Sequence, residues 1–131
     1  MFTKYKYFLF SENPDKLVKF YTDVLGMKIT NKLELPKDYG YALEVAPDWS
    51  IWLAQHSEVK GYNKDPYRHF INLYTDEVQD YFEKVKNVPG VKILQEPTPM
   101  SNFNPEETRY VCTILDPEGN CLQFMGKLKT K

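Results

Sequence analysis

With 131 residues, the chain is long enough to bury one sizeable core and too short for two ordinary independent ones. Its 17 basic and 18 acidic residues leave a formal charge of −1, so no net field draws it to nucleic acid or anionic lipid. No apolar run approaches the ~20 residues of a membrane helix and Met1–Lys6 does not read as a signal peptide, so the expectation is a single cytoplasmic domain.

Tyr5–Phe10 alternates as a strand, with Tyr5, Tyr7 and Leu9 on one face and Lys6, Phe8 and Phe10 on the other. Asn13 then caps a helix with Pro14 at its first position. Leu17, Phe20, Tyr21, Val24 and Leu25 fall on one stripe, and Gly26 suits a left-handed stop. Three strands follow over Met27–Leu35, Tyr39–Val45 and Trp49–Gln55, and residues 57–66 read as a polar connector.

The order then repeats. Tyr67–Tyr74 reads as a strand, and Thr75 or Asp76 caps a helix whose stripe is Val78, Tyr81, Phe82 and Val85. Val91–Leu94 is a short strand, Gln95–Glu107 with its three prolines a long loop suited to a lid or dimer arm, and Tyr110–Gly126 a hairpin turning at Asp116–Asn120. Pairing Leu115 with Asn120 would set Cys112 and Cys121 diagonally across that hairpin. The residues from Lys6 to Ile29 parallel those from His69 to Ile93, so the chain reads as an α+β fold of two βαβββ modules, residues 1–56 and 67–128. Each module is a four-stranded sheet with a helix on one face and a concavity on the other. The basic tail Lys127, Lys129 and Lys131 reads as a solvated end.

Three stretches carry a family likeness: Asn13–Met27 with its Phe20-Tyr21 pair and Leu25-Gly26 end, Thr75–Val78, and Asp116–Asn120. In these the sequence resembles the vicinal oxygen chelate superfamily, which includes glyoxalases, bleomycin-resistance proteins and extradiol dioxygenases. The resemblance implies small-molecule binding, homodimers and, in metal-using members, one divalent ion held by four His or Glu ligands. Matched by position, those ligands fall on Lys6, near Trp52, on Phe70 or His69, and on Gln123. A lysine ammonium has no lone pair to give, indole and phenyl rings are no better, and an amide oxygen is a weak ligand. No metal cofactor is therefore expected. The alternative is a reduced divalent-metal site at His69 and Gln123.

If Ile71 and Leu73 face the helix, the concave lining collects Lys6, Phe8, Phe10, Trp52, Phe70, Asn72, Gln123 and Met125. That lining suits an organic ligand held by stacking and a few hydrogen bonds, although Phe8, Phe10 and Phe70 equally suit a filled core. Lys6 either holds an anion, acts as a base where burial strips its proton, or pairs with Glu44. Trp49 suits a turn or a dimer contact. Three functions follow: a metal-free binder of an organic compound or drug, a lyase, isomerase or epimerase of the superfamily, and an interaction module without small-molecule chemistry. No phosphate loop, nucleophile elbow or basic aromatic stripe for nucleic acid is present.

Overall fold

The computed structural model describes residues 1–128; Lys129 and Lys131 of the basic tail lie outside the described residues. The chain divides between Gly61 and Tyr62 into two compact units. The first holds β1 (Tyr7–Ser11), α1 (Pro14–Lys19) running into a π-helical turn (Phe20–Val24), β2 (Lys28–Leu35), β3 (Asp38–Ala46) and β4 (Trp49–Gln55). The second holds β5 (Phe70–Tyr74), α2 (Val78–Val85), β6 (Lys92–Pro99), a single 3₁₀ turn (Met100–Asn102), β7 (Tyr110–Leu115) and β8 (Cys121–Gly126).

The two sheets share one plan. Strand order is β1-β4-β3-β2 in the first and β5-β8-β7-β6 in the second. In each, the strand before the helix pairs in parallel with the last strand, and the other pairings are antiparallel. This is the two-module α+β architecture that the internal repeat predicts.

The first helix starts where its sequence dictates. The Asn13 side chain accepts from the Lys16 N–H at 3.3 Å, and Pro14 occupies a position whose N–H has no intrahelical partner. Leu17, Val18, Phe20, Tyr21 and Leu25 are buried, while Val24 is only half-buried. The departure from the expected stripe comes from the π turn: Leu25 N–H reaches back five residues to the Phe20 carbonyl, and the widened turn rotates Val24 off the packed face. Beneath the helix lie Leu9, Tyr41, Leu43, Ile51 and Leu53, which are the residues of one parity across β1, β4 and β3.

In the second unit the helix begins later than Thr75 or Asp76. Glu77 is the N-cap residue without a side-chain cap bond, and the Thr75 hydroxyl instead accepts from the Glu77 N–H at 3.1 Å. The first helical donor, Val78 N–H, goes to the Lys127 carbonyl, so the chain after β8 performs the capping. Gly126 makes this crossing feasible, since a Cβ there would sit 1.7 Å from the Thr75 carbonyl oxygen.

Two further expectations need correction. The stretch from Gln95 is not wholly a loop, because β6 continues to Pro99. β6 is an edge strand with register shifts between Ile93 and Gln95 and between Gln95 and Thr98, and prolines are tolerated where the N–H faces away from a partner. The last hairpin pairs Leu115 with Cys121, one residue away from the expected register. The buried Asp116 carboxylate closes a five-residue loop by accepting from the Glu118 and Asn120 N–H groups and from the Asn120 amide. Cys112 therefore pairs with Phe124 and Cys121 with Leu115, on opposite faces of the sheet, and both thiols are free and buried.

Candidate functional site

In the first unit the face away from the helix is aromatic at one edge and narrow-chained at its middle. Phe8 pairs with Trp52 and Phe10 with Ala54 across β1 and β4; Ala42 and Gly40 continue those two rows on β3, and Leu33 lies opposite Gly40 on β2. Trp52, Ala42 and Ala54 are buried, with Phe10 and Leu33 packed against them. Phe8 meets Phe10 edge-on at 6.0 Å between ring centroids and remains 53% exposed. Phe10 in turn meets the His56 ring at 5.0 Å. Trp52, Ala42 and Ala54 with Phe10 and Leu33 thus form a packed apolar patch on this face, and Phe8 beside it offers an exposed ring.

Lys6 precedes β1 on the same parity as Phe8, is exposed, and holds its Nζ 6.0 Å from the centroid of the Trp52 ring. Four of the sequence-predicted residues, Lys6, Phe8, Phe10 and Trp52, are thus brought together. Trp49 stands apart at the β3–β4 turn, 59% exposed.

In the second unit Phe70, Asn72 and Gln123 share the face away from α2. Phe70 pairs with Cys121 and Asn72 with Gln123. Phe70 is 41% exposed, Gln123 Nε2 donates to Thr113 Oγ1 at 3.4 Å, and Asn72 Nδ2 lies 3.8 Å from Met125 Sδ. His69 lies outside β5, exposed and one residue off the parity of Asn72 and Gln123. Beside this face, Arg109 covers the Tyr74 ring at 5.8 Å while pairing with Glu107. That pairing holds the Glu107 carboxyl below its ordinary range. Burial pushes the Cys112 thiol up to about 12 and that of Cys121 to about 11, so neither is a ready nucleophile.

Sequence spacing misses a cleft of about 600 Å³ at the end of the first unit's sheet, lined by the β2–β3 turn at Pro36, Lys37, Asp38 and Tyr39 and by Glu12, Gln55, His56 and Lys60. Its lining comes from three separate stretches, and no periodic signal joins them. Glu12 already accepts from the Gly61 N–H at 3.0 Å and faces Lys60 at 3.9 Å. Tyr39 points its hydroxyl away to Asp15, at 2.7 and 2.8 Å from the two carboxylate oxygens, where Tyr41 also donates at 2.5 Å. The hydrogen bonds from Tyr41 and Tyr39 lower the Asp15 pKa and raise both tyrosines, Tyr39 to about 12.

Among the described residues no three His, Cys, Asp or Glu side chains gather as a metal site, and no helix is long and apolar enough to cross a membrane.

The model of the Glyoxalase/Bleomycin resistance protein/Dioxygenase superfamily matches residues 5–124. A lactoylglutathione lyase of Oryza sativa subsp. japonica is 30% identical over 114 residues, covering 80% of this chain and 38% of its own length. The chain thus spans well under half of that relative. Among solved structures, glyoxalase I from Zea mays superposes with a TM-score of 0.70 at 22% identity, over 94% of this chain and 44% of that one. The trypanothione-dependent glyoxalase I of Leishmania major reaches 0.73 at 21% identity, over 97% and 88% of the two chains. A hypothetical protein from S. aureus reaches 0.73 at 22%, over 96% and 95%.

Proposed function

The chain belongs to the Glyoxalase/Bleomycin resistance protein/Dioxygenase superfamily, and from that premise we propose that it binds a planar organic compound or drug by stacking, without metal, as a cytoplasmic homodimer. The observation that carries this reading is the partly exposed Phe8 ring paired with the buried Trp52 on a sheet face where Ala42, Ala54 and Gly40 are the neighbouring small residues. A flat ligand gains contact with the exposed Phe8 ring and costs little side-chain entropy in doing so, because a β-strand aromatic is already held.

The metal-free part rests on donor chemistry. At the positions that resemblance assigns to ligands stand Lys6, Trp52, Phe70 and Gln123, and the Gln123 amide is engaged with Thr113. His69, the alternative ligand, is off the parity of Gln123. This set does not fit a Zn²⁺, Ni²⁺ or Fe²⁺ centre of three or four good donors. A stoichiometric divalent ion in protein purified without chelator, lost in His69→Ala, would overturn it.

Tryptophan fluorescence tests the binding. Ring-containing probes should perturb the emission of Trp52, and Phe8→Ser should weaken their binding roughly tenfold, the worth of one stacked ring. The reading fails if no such probe alters the emission, or if Phe8→Ser leaves every affinity where it was.

The name of the rice relative favours a second reading, a lyase. Turnover of lactoylglutathione by the purified chain, with and without added Zn²⁺ or Ni²⁺, decides between the two.

A further inference from the structure

The stacking face carries an uneven set of charges. Level with Ser50, one residue before the Tyr7 and Ile51 pair, lies Lys6; Ser50 pairs with Glu44, and Glu44 with Lys28. The row across the four strands therefore reads Lys6, Ser50, Glu44, Lys28. With adjacent strands about 5 Å apart, Glu44 stands one strand from Lys28 and two strands, about 10 Å, from Lys6. Register thus sets the row's single acid nearer Lys28 than Lys6, and among the described residues Glu44 forms an ion pair with neither. Among the described residues no carboxylate forms an ion pair with Lys6. At the opposite end of the face, beside Phe10, His56 shares a cleft with the acids Glu12 and Asp38 and the lysines Lys37 and Lys60, so the carboxylates there lie at the far end of the face from Lys6.

The Trp52 ring places the Lys6 ammonium without neutralising it. A cation over an indole face is attracted by the ring quadrupole, and the pair keeps its full positive charge and its N–H donors. From this arrangement we infer that the face selects planar aromatic compounds carrying a carboxylate or a comparable oxyanion, the rings resting on the exposed Phe8 beside the buried Trp52 and the anion meeting Lys6. The inference rests on the stacking reading above and narrows it to one charge class. An aromatic cation on the same rings would meet the Lys6 charge and be disfavoured, while a neutral ring would gain the stacking alone.

Three probes with one ring system separate these cases: 2-naphthoate, 2-naphthylmethylammonium and the neutral 2-naphthalenemethanol, each titrated against tryptophan emission at low salt. The naphthoate should bind about fivefold more tightly than the alcohol, the worth of one exposed ion pair, and the ammonium more weakly than either. Lys6→Gln should collapse the naphthoate-to-alcohol ratio towards one, and Lys6→Arg should keep it. Urea midpoints of the two variants check that both fold. The inference is overturned if the ammonium binds as well as the naphthoate, or if Lys6→Gln retains the ratio, while binding of the alcohol leaves the stacking reading standing. If none of the three probes binds, the stacking reading falls and this one falls with it.

Discussion

The two units differ most at one rung of the same ladder. Across the parallel pair β1 and β4, Leu9 faces Leu53 on the helix side and Phe8 faces Trp52 on the other. Across the parallel pair β5 and β8, Leu73 faces Phe124 on the helix side, but the rung beside it is Asn72 facing Gln123. Apolar packing under the helix is kept in both units, and the neighbouring rung on the opposite face is aromatic in one and amide in the other, with Phe70 and Tyr74 flanking the amides. The strand order thus follows from the helix-side residues, and the second face is free to vary in chemistry without disturbing the fold.

The largest effects should come from the shared side of that ladder. Leu53 and Leu122 are each fully buried, one in each unit's sheet. Leu53→Ala and Leu122→Ala should each lose about 3 kcal/mol of stability in urea denaturation, since each leaves a cavity as well as losing apolar burial. A loss under about 1 kcal/mol in either would show that its sheet relaxes around the gap and that the helix side is less decisive than the comparison holds.

That side was also the most legible in the sequence. Leu17 on α1, Tyr21 in the π turn that follows it, and Val78, Phe82 and Val85 on α2 are read from helical spacing and are buried. The repeat of strand, helix and three strands is read from turn residues and periodicity together. Spacing failed where a side chain or an edge overrides it. The Asp116 carboxylate gathers donors that lengthen the last hairpin's loop, and the register moves by one residue. β6 runs through Pro97 because an edge strand needs only one side of its hydrogen bonds. Of the candidate site, alternation sufficed to group Lys6 with Phe8 and Phe10, and Asn72 with Gln123. The cleft at Pro36–Tyr39 and Lys60 was not legible, because it depends on how turns from distant stretches meet.

A smaller effect should come from the diverged rung. Gln123 is half-buried and its amide makes one long hydrogen bond, to Thr113 at 3.4 Å. Replacing an amide so weakly held by an apolar group of similar shape costs little, so Gln123→Leu should change stability by less than about 1 kcal/mol in either direction. A loss well beyond that in urea denaturation would mean that the amide rung supports the second unit's sheet, and the contrast between the units would then be structural as well as chemical.

The smallest effect belongs to a group that only the first unit carries. Asp15 on α1 accepts from Tyr39 and Tyr41 on β3, and Lys32 covers the Tyr41 ring at 5.2 Å. The tyrosine hydrogen bonds hold the Asp15 carboxyl below its ordinary value, so their stabilisation is present above the unfolded carboxylate range and is lost as pH falls through the lowered folded value. The same bonds raise both tyrosines, Tyr39 to about 12; that contribution is full below the unfolded tyrosine range near 10 and is lost as pH rises towards 12. Asp15 is exposed, so solvent screening keeps its share under about 1 kcal/mol. Asp15→Ala should therefore lower the urea midpoint slightly at pH 7 and flatten its dependence on pH at both the acid and the alkaline end. If the variant keeps both limbs of the wild-type profile, the pH dependence arises elsewhere, and the hold of the helix on its sheet rests on its buried apolar residues Leu17, Val18, Phe20, Tyr21 and Leu25.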